Sequence, residues 1–121
     1  EETTWIERRY STNREKVAVE AQLEDEDSLL HHYREIIAVR RSHPLLMDGE
    51  VKVSEIKKEG LVAFERVFDK ESVLVMHNLT GEGVNVQLPE QWVDVYYRNG
   101  NLEQNGQSVQ LAPYSTVVFS Q

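Results

Sequence analysis

From Gly49 to the end, the sequence breaks into short runs rich in β-branched and aromatic residues, separated by turn residues at intervals of about 8–12 positions. The runs are EVKVSEI (50–56), LVAFERVF (61–68), SVLVMHNL (72–79), VNVQL (84–88), QWVDVYY (91–97), NLEQ (101–104), VQL (109–111) and STVVFS (115–120). The breaks between them are KKEG, DKE, TGEG, PEQ, RNGN, NGQ and APY. Two breaks contain Asn-Gly, the strongest short hairpin signal. Some eight short strands in this rhythm cannot build a helical bundle. They predict a mainly β domain, an antiparallel sandwich with Greek-key or meander links. SVLVMHNL holds the continuous apolar run and reads as the central strand, whereas VNVQL alternates and should keep one wet face.

One segment does not fit that rhythm. DSLLHHYREIIAVRRSHPLL, residues 27–46, has helical periodicity. At about 100° per residue, Leu29, Leu30, Tyr33, Ile36 and Ile37 fall within an arc of roughly 120°, as a core-facing stripe requires. Arg40 falls inside the stripe near its C-terminal end. The acidic run LEDEDS precedes the helix and suits its positive pole, with Asp25 the expected N-cap and Asp27 the second choice. Arg40, Arg41 and His43 suit the negative pole, and Pro44 disfavours helical geometry at His43. Residues 1–20 hold no sustained periodicity and read as an extended, irregular lead-in. The architecture expected is therefore one amphipathic helix followed by the sandwich.

Length and charge narrow what such a chain can do. The 121 residues suffice for a real hydrophobic core. No apolar run reaches the ~18 residues a membrane span needs, and no apolar leader segment opens the chain. The absence of an initiator Met leads us to expect a piece of a longer polypeptide. With 21 acidic against 13 basic residues the net charge is −8, which disfavours nucleic acid and anionic membranes as partners. The lack of cysteine removes disulfides, thiolate metal sites and cysteine nucleophiles, without fixing a compartment.

Chemistry-bearing residues are present but not in catalytic patterns. His31 and His32 are adjacent rather than four apart, so they point about 100° from each other and read as solvated or edge residues, not as a metal pair. His43 and His77 stand alone. Glu24 to Asp27 could suggest calcium, but no mid-loop Gly or late Glu follows, and helix capping explains the run. No serine lies in a Gly-x-Ser-x-Gly setting and no Gly-rich phosphate loop exists. Asn78-Leu79-Thr80 matches the glycosylation triplet, a frequent chance match. Trp92, Tyr96, Tyr97 and Tyr114 read as packing residues, with a sugar-stacking platform on one of them, or on Trp5, the alternative. We therefore assign no catalytic, cofactor-binding or metal-binding residue and no cofactor.

The helix segment resembles the last barrel helix of the α-amylase/α-glucosidase family, retaining glycoside hydrolases built on a (β/α)8 barrel. Ser28, Leu29, Leu30, Tyr33, Arg34, Ile37, Val39, Arg40, His43, Pro44 and Leu46 match that family's pattern. Val19, Glu20 and Gln22 match the stretch leading into it, and EETTW resembles the loop after the final barrel strand. VLVMHNLT and LAPYSTVVF resemble two strands of the C-terminal β-sandwich, domain C. The resemblance implies residues 1–46 as the lead-in and final helix of a truncated barrel, and 47–121 as domain C. It implies a non-catalytic C-terminal fragment of an α-glucan-hydrolysing enzyme, whose carboxylate machinery lies on upstream barrel strands. It also implies that Arg40 faces a carboxylate or carbonyl of that barrel. The helix's apolar stripe is then expected to pack on the sandwich, to be covered by a second chain, or both. The alternative function is a carbohydrate-binding module that stacks glucans on exposed aromatics.

Overall fold

The structure, a computed structural model, describes residues 18–121. Among them are three helices, α1 (Val19–Glu24), α2 (Leu29–Ser42) and α3 (Pro44–Asp48). Eight strands follow: β1 (Glu50–Val53), β2 (Leu61–Phe68), β3 (Glu71–Asn78), β4 (Val84–Gln87), β5 (Asp94–Asn99), β6 (Leu102–Asn105), β7 (Ser108–Leu111) and β8 (Thr116–Ser120). The chain divides into two compact units after Val39.

In the first unit the expected extended lead-in is corrected where it can be seen. Most of residues 1–20 lie outside the described residues, but Val19 and Glu20 open the helix α1. The expected cap of α2 is also corrected. The helix starts at Leu29, and Ser28 stands where a capping residue belongs, its Oγ 3.4 Å from the His31 backbone N. The Leu30 N–H donates to Gln22 Oε1 at 3.1 Å, so α1 supplies a second cap. Asp25 instead ends α1 and accepts from the Asp27 N–H at 3.0 Å. A serine whose hydroxyl can turn towards the first-turn N–H groups displaces the acids because only it lies next to them.

The second unit is the predicted antiparallel sandwich. One sheet has the order β1-β2-β3-β8-β5 and the other β4-β7-β6. β3 is the middle strand of the larger sheet, as its continuous apolar run requires. Its Leu74 and Met76, with Val117 and Phe119 of β8, face Val84 and Val86 of β4 and Val109 and Leu111 of β7 in the principal core. Trp92, from the segment before β5, is 1% exposed and fills the same core. β4 alternates buried and exposed, leaving Asn85 and Gln87 wet.

The two Asn-Gly signals separate here. Asn105-Gly106 does close a hairpin, with Asn105 paired to Ser108 and Gly106 at φ 61° in the first central position. Asn99-Gly100 does not, because β5 and β6 belong to different sheets. Gly100 carries the crossing at φ 100°, with the Ser115 Cβ only 2.7 Å from where its own Cβ would stand. A local turn signal cannot tell a hairpin from a change of sheet.

Pro44 has two effects on its neighbours. Ser42 is the last residue of α2, and Pro44 opens α3 at the first-turn position that needs no N–H. Leu45 of that short helix is 2% exposed and, with Leu46, packs on Val73, Val75 and Val118 across the outer face of the larger sheet. Gly49 ends α3, its N–H bonded to Leu45 O at 3.2 Å. A Cβ there would lie 2.4 Å from that oxygen and 3.3 Å from Val67 N, so close approach rather than backbone angle requires glycine.

Candidate functional site

The histidines and acids among the described residues gather into no reactive centre. Among the described residues no three His, Asp or Glu side chains are placed to hold a metal ion. His31 Nδ1 lies 3.0 Å from Ser28 Oγ and belongs to the helix start. His32 meets Tyr33 edge to face. His77 lies half-buried on the outer sheet face, its Nδ1 2.8 Å from Thr116 Oγ1. Burial holds its imidazole below the ordinary histidine range.

Asn78 has a structural assignment. It is 1% exposed. Its Nδ2 donates to Glu82 O at 2.7 Å and Ala112 O at 3.0 Å, while its Oδ1 accepts from Thr80 N at 3.0 Å and Thr80 Oγ1 at 2.7 Å. Both donors and both lone pairs are engaged. The triplet Asn78-Leu79-Thr80 thus ties the β3–β4 turn to the approach to β8 and offers no nitrogen for a glycan.

The aromatics divide likewise. Trp92 is buried and cannot stack on a sugar. Tyr97 packs against the outer-face cluster. Tyr96 makes a clasp that the sequence did not reveal, since it reads as one more sandwich aromatic. Its hydroxyl bonds to Ser42 Oγ, and its ring meets His43 edge to face at 4.9 Å. His43 in turn caps α3, its Nδ1 accepting from the Leu45 N–H at 3.3 Å. The family-like His-Pro-x-Leu signature is thereby a joint. Its histidine caps and clasps, its proline breaks the helix, and the leucines at 45 and 46 seal the sheet.

Apolar side chains also stand open. Val53, Phe64, Val75, Val118 and Tyr97 lie in register across all five strands of the outer face. Leu45 and Leu46 cover its middle, but Val51, Val53 and Val62 stay 65%, 77% and 41% exposed. On α2, Leu29, Tyr33, Ile36 and Ile37 are also exposed, while Leu30 is half-buried. Arg40, in the same helix, is exposed too. A catalytic cleft is not what this surface resembles. It carries two apolar faces of the kind that mark contact with other protein.

Comparison with known proteins agrees with that character. Residues 61–118, β2 through most of β8, match the alpha-amylase SusG C-terminal domain. Alpha-amylase 3 of Dictyoglomus thermophilum is 26% identical over 97% of this chain, and an oligo-1,6-glucosidase of Halalkalibacterium halodurans is 26% identical over the same share. The chain spans only 24% and 22% of those proteins' lengths. An isomaltulose synthase from Erwinia rhapontici shares the fold at a TM-score of 0.71, with 21% identity, over 84% of this chain and 19% of its own. The helix signature, the sandwich and these relatives agree that the chain is similar to the C-terminal part of glycoside hydrolases of the α-amylase family.

Proposed function

We propose that this chain is the non-catalytic C-terminal part of a retaining α-glucan hydrolase and serves to support its catalytic barrel. Residues 1–46 are then the end of the barrel, including its last helix, and residues 47–121 are domain C. The α-glucan is the substrate of the whole enzyme, and no catalytic, cofactor or metal residue lies in this part. Arg40 then meets a carboxylate or carbonyl of the barrel.

The observation that carries this reading is the exposed stripe of α2, in which Leu29 is 64% and Tyr33 58% exposed on a helix matching the family's last barrel helix. Burying such a side chain is worth about 1.5–3 kcal/mol, so a helix of this pattern is built for a neighbour. A solvent-facing side needs no such stripe unless another element lies on it.

The test compares two settings of one substitution. Ile37→Asp at this 48% exposed position should change the stability of the present chain by about 0.5 kcal/mol or less. In a polypeptide extended to include the barrel it should cost about 3 kcal/mol or more, because a charge is then buried unpaired. Equal costs in both settings would remove the argument, as would hydrolysis of maltotriose by the 121-residue chain alone.

A further inference from the structure

β1 is the outermost strand of the larger sheet, and among the described residues it pairs with β2 alone. All four of its residues are exposed. Such an edge presents unpaired N–H and C=O groups along its length, a template for another strand. Short strands and lysines usually guard edges of this kind, and β1 carries a lysine, Lys52. What matters is the residue two positions before it. In Glu50-Val51-Lys52-Val53 the charges flank Val51 symmetrically.

We infer that β1 is a self-complementary edge on which a second copy of this chain docks, antiparallel, to join the two larger sheets into one. A two-fold axis through Val51 places Val51 opposite Val51, Glu50 opposite Lys52, and Lys52 opposite Glu50. Isologous contact makes each favourable pair occur twice. The lysine that repels an arbitrary strand becomes half of an ion pair when the incoming strand is its own copy. Charge complementarity therefore selects the occupant and the register together, since a one-residue slip would set Lys52 opposite Val51 and turn the valines away from each other.

The flanking residues are compatible with that register. Val53 falls opposite Gly49, which has no side chain to obstruct it. On the outer face Val51, 65% exposed, would gain the copy's Val51 as its cross-strand neighbour. On the other face Lys52 already stands opposite Glu65 of β2, so the copy's Glu50 would complete an acid-base-acid row. This inference rests on the edge of β1 alone and holds whether or not the proposed barrel support is correct.

Sedimentation equilibrium of the 121-residue chain up to millimolar concentration tests it. The parent chain should show a concentration-dependent dimer. Lys52→Glu and Glu50→Lys each set like charges opposite twice, and each should raise the dissociation constant about tenfold or more. Mixing those two variants should restore association as a heterodimer, because every charge again meets its opposite. The double variant Glu50→Lys with Lys52→Glu should form homodimers like the parent. Thermal melts by circular dichroism check that all variants fold. A parent chain that stays monomeric, or single variants that dimerise undiminished, would overturn the inference. So would a mixture that fails to associate, or a dimer abolished by Leu30→Asp with Ile37→Asp, which would place the contact on the helix stripe.

Discussion

Asn78→Asp changes one atom of a side chain that is 1% exposed, and the structure fixes the consequence. The Nδ2 donor becomes an oxygen facing Glu82 O and Ala112 O, its former acceptors at 2.7 and 3.0 Å. Ala112 O still accepts from Ser115 Oγ, and Glu82 O keeps a donor when the single Thr80 Oγ1 proton, directed at residue 78 in the parent, turns to it across 3.0 Å. The loss is therefore two donated bonds at about 1 kcal/mol each. To this is added the cost of an ionised carboxylate against two carbonyl oxygens, about 1.4 kcal/mol for each unit its pKa is raised. The total at pH 7 is about 3–5 kcal/mol, a large share of the roughly 5–15 kcal/mol typical of a domain. The carboxyl should titrate above its unfolded value in the folded state. The folded variant then holds more protons, and its deficit relative to the parent narrows as pH falls towards about 4. Comparing with the parent at each pH cancels the contribution of His77. Urea unfolding followed by the fluorescence of buried Trp92 should show a midpoint lower by about 2–3 M at neutral pH, for a slope near 1.5 kcal/mol/M. A deficit below about 1 kcal/mol, or one that does not change between pH 7 and pH 5, would refute the account of this network.

Gly49→Ala should destabilise by about 2 kcal/mol through overpacking against Leu45 O, although its backbone angles suit any residue. Gly106→Ala, with open space but φ 61°, should cost about 1 kcal/mol, and urea titrations of the pair separate steric from conformational demand. His77 is held below its ordinary range by burial, so the unfolded chain takes up its proton first. Its contribution to stability is complete above about pH 6.5 and is lost as pH falls through the folded value, and thermal melts of the parent and His77→Gln across pH 5–8 should differ in that slope. Tyr96→Phe keeps the ring on His43 but loses the bond to Ser42. It should cost about 0.5–1 kcal/mol by urea titration, and amide exchange at the end of α2 should quicken.

The positions of the strands were readable because each is a local pattern. LVAFERVF became β2 without a shift at either end, and the apolar run of SVLVMHNL marked the middle of the sheet because only a strand covered on both faces can be apolar throughout. The helix at residues 29–42 was equally legible, since its stripe and its terminating His-Pro are encoded within a few turns. Local pattern did not reveal which donor or acceptor across the fold each polar group meets. Ser28 won the cap from Asp25 by its place beside the first N–H groups and its bond to Gln22 O at 2.7 Å. Asn78 looked like a glycosylation triplet and proved to be a buried knot whose partners include Ala112, far away in sequence.

Composition and periodicity determined that this chain holds one amphipathic helix and a β-sandwich, because burial of apolar side chains obeys short repeats in sequence. Which sheet each strand joined, which Asn-Gly turned a hairpin, and which tyrosine clasped His43 were decided only when distant segments met. Those outcomes depend on hydrogen bonds and packing between residues that no local window contains.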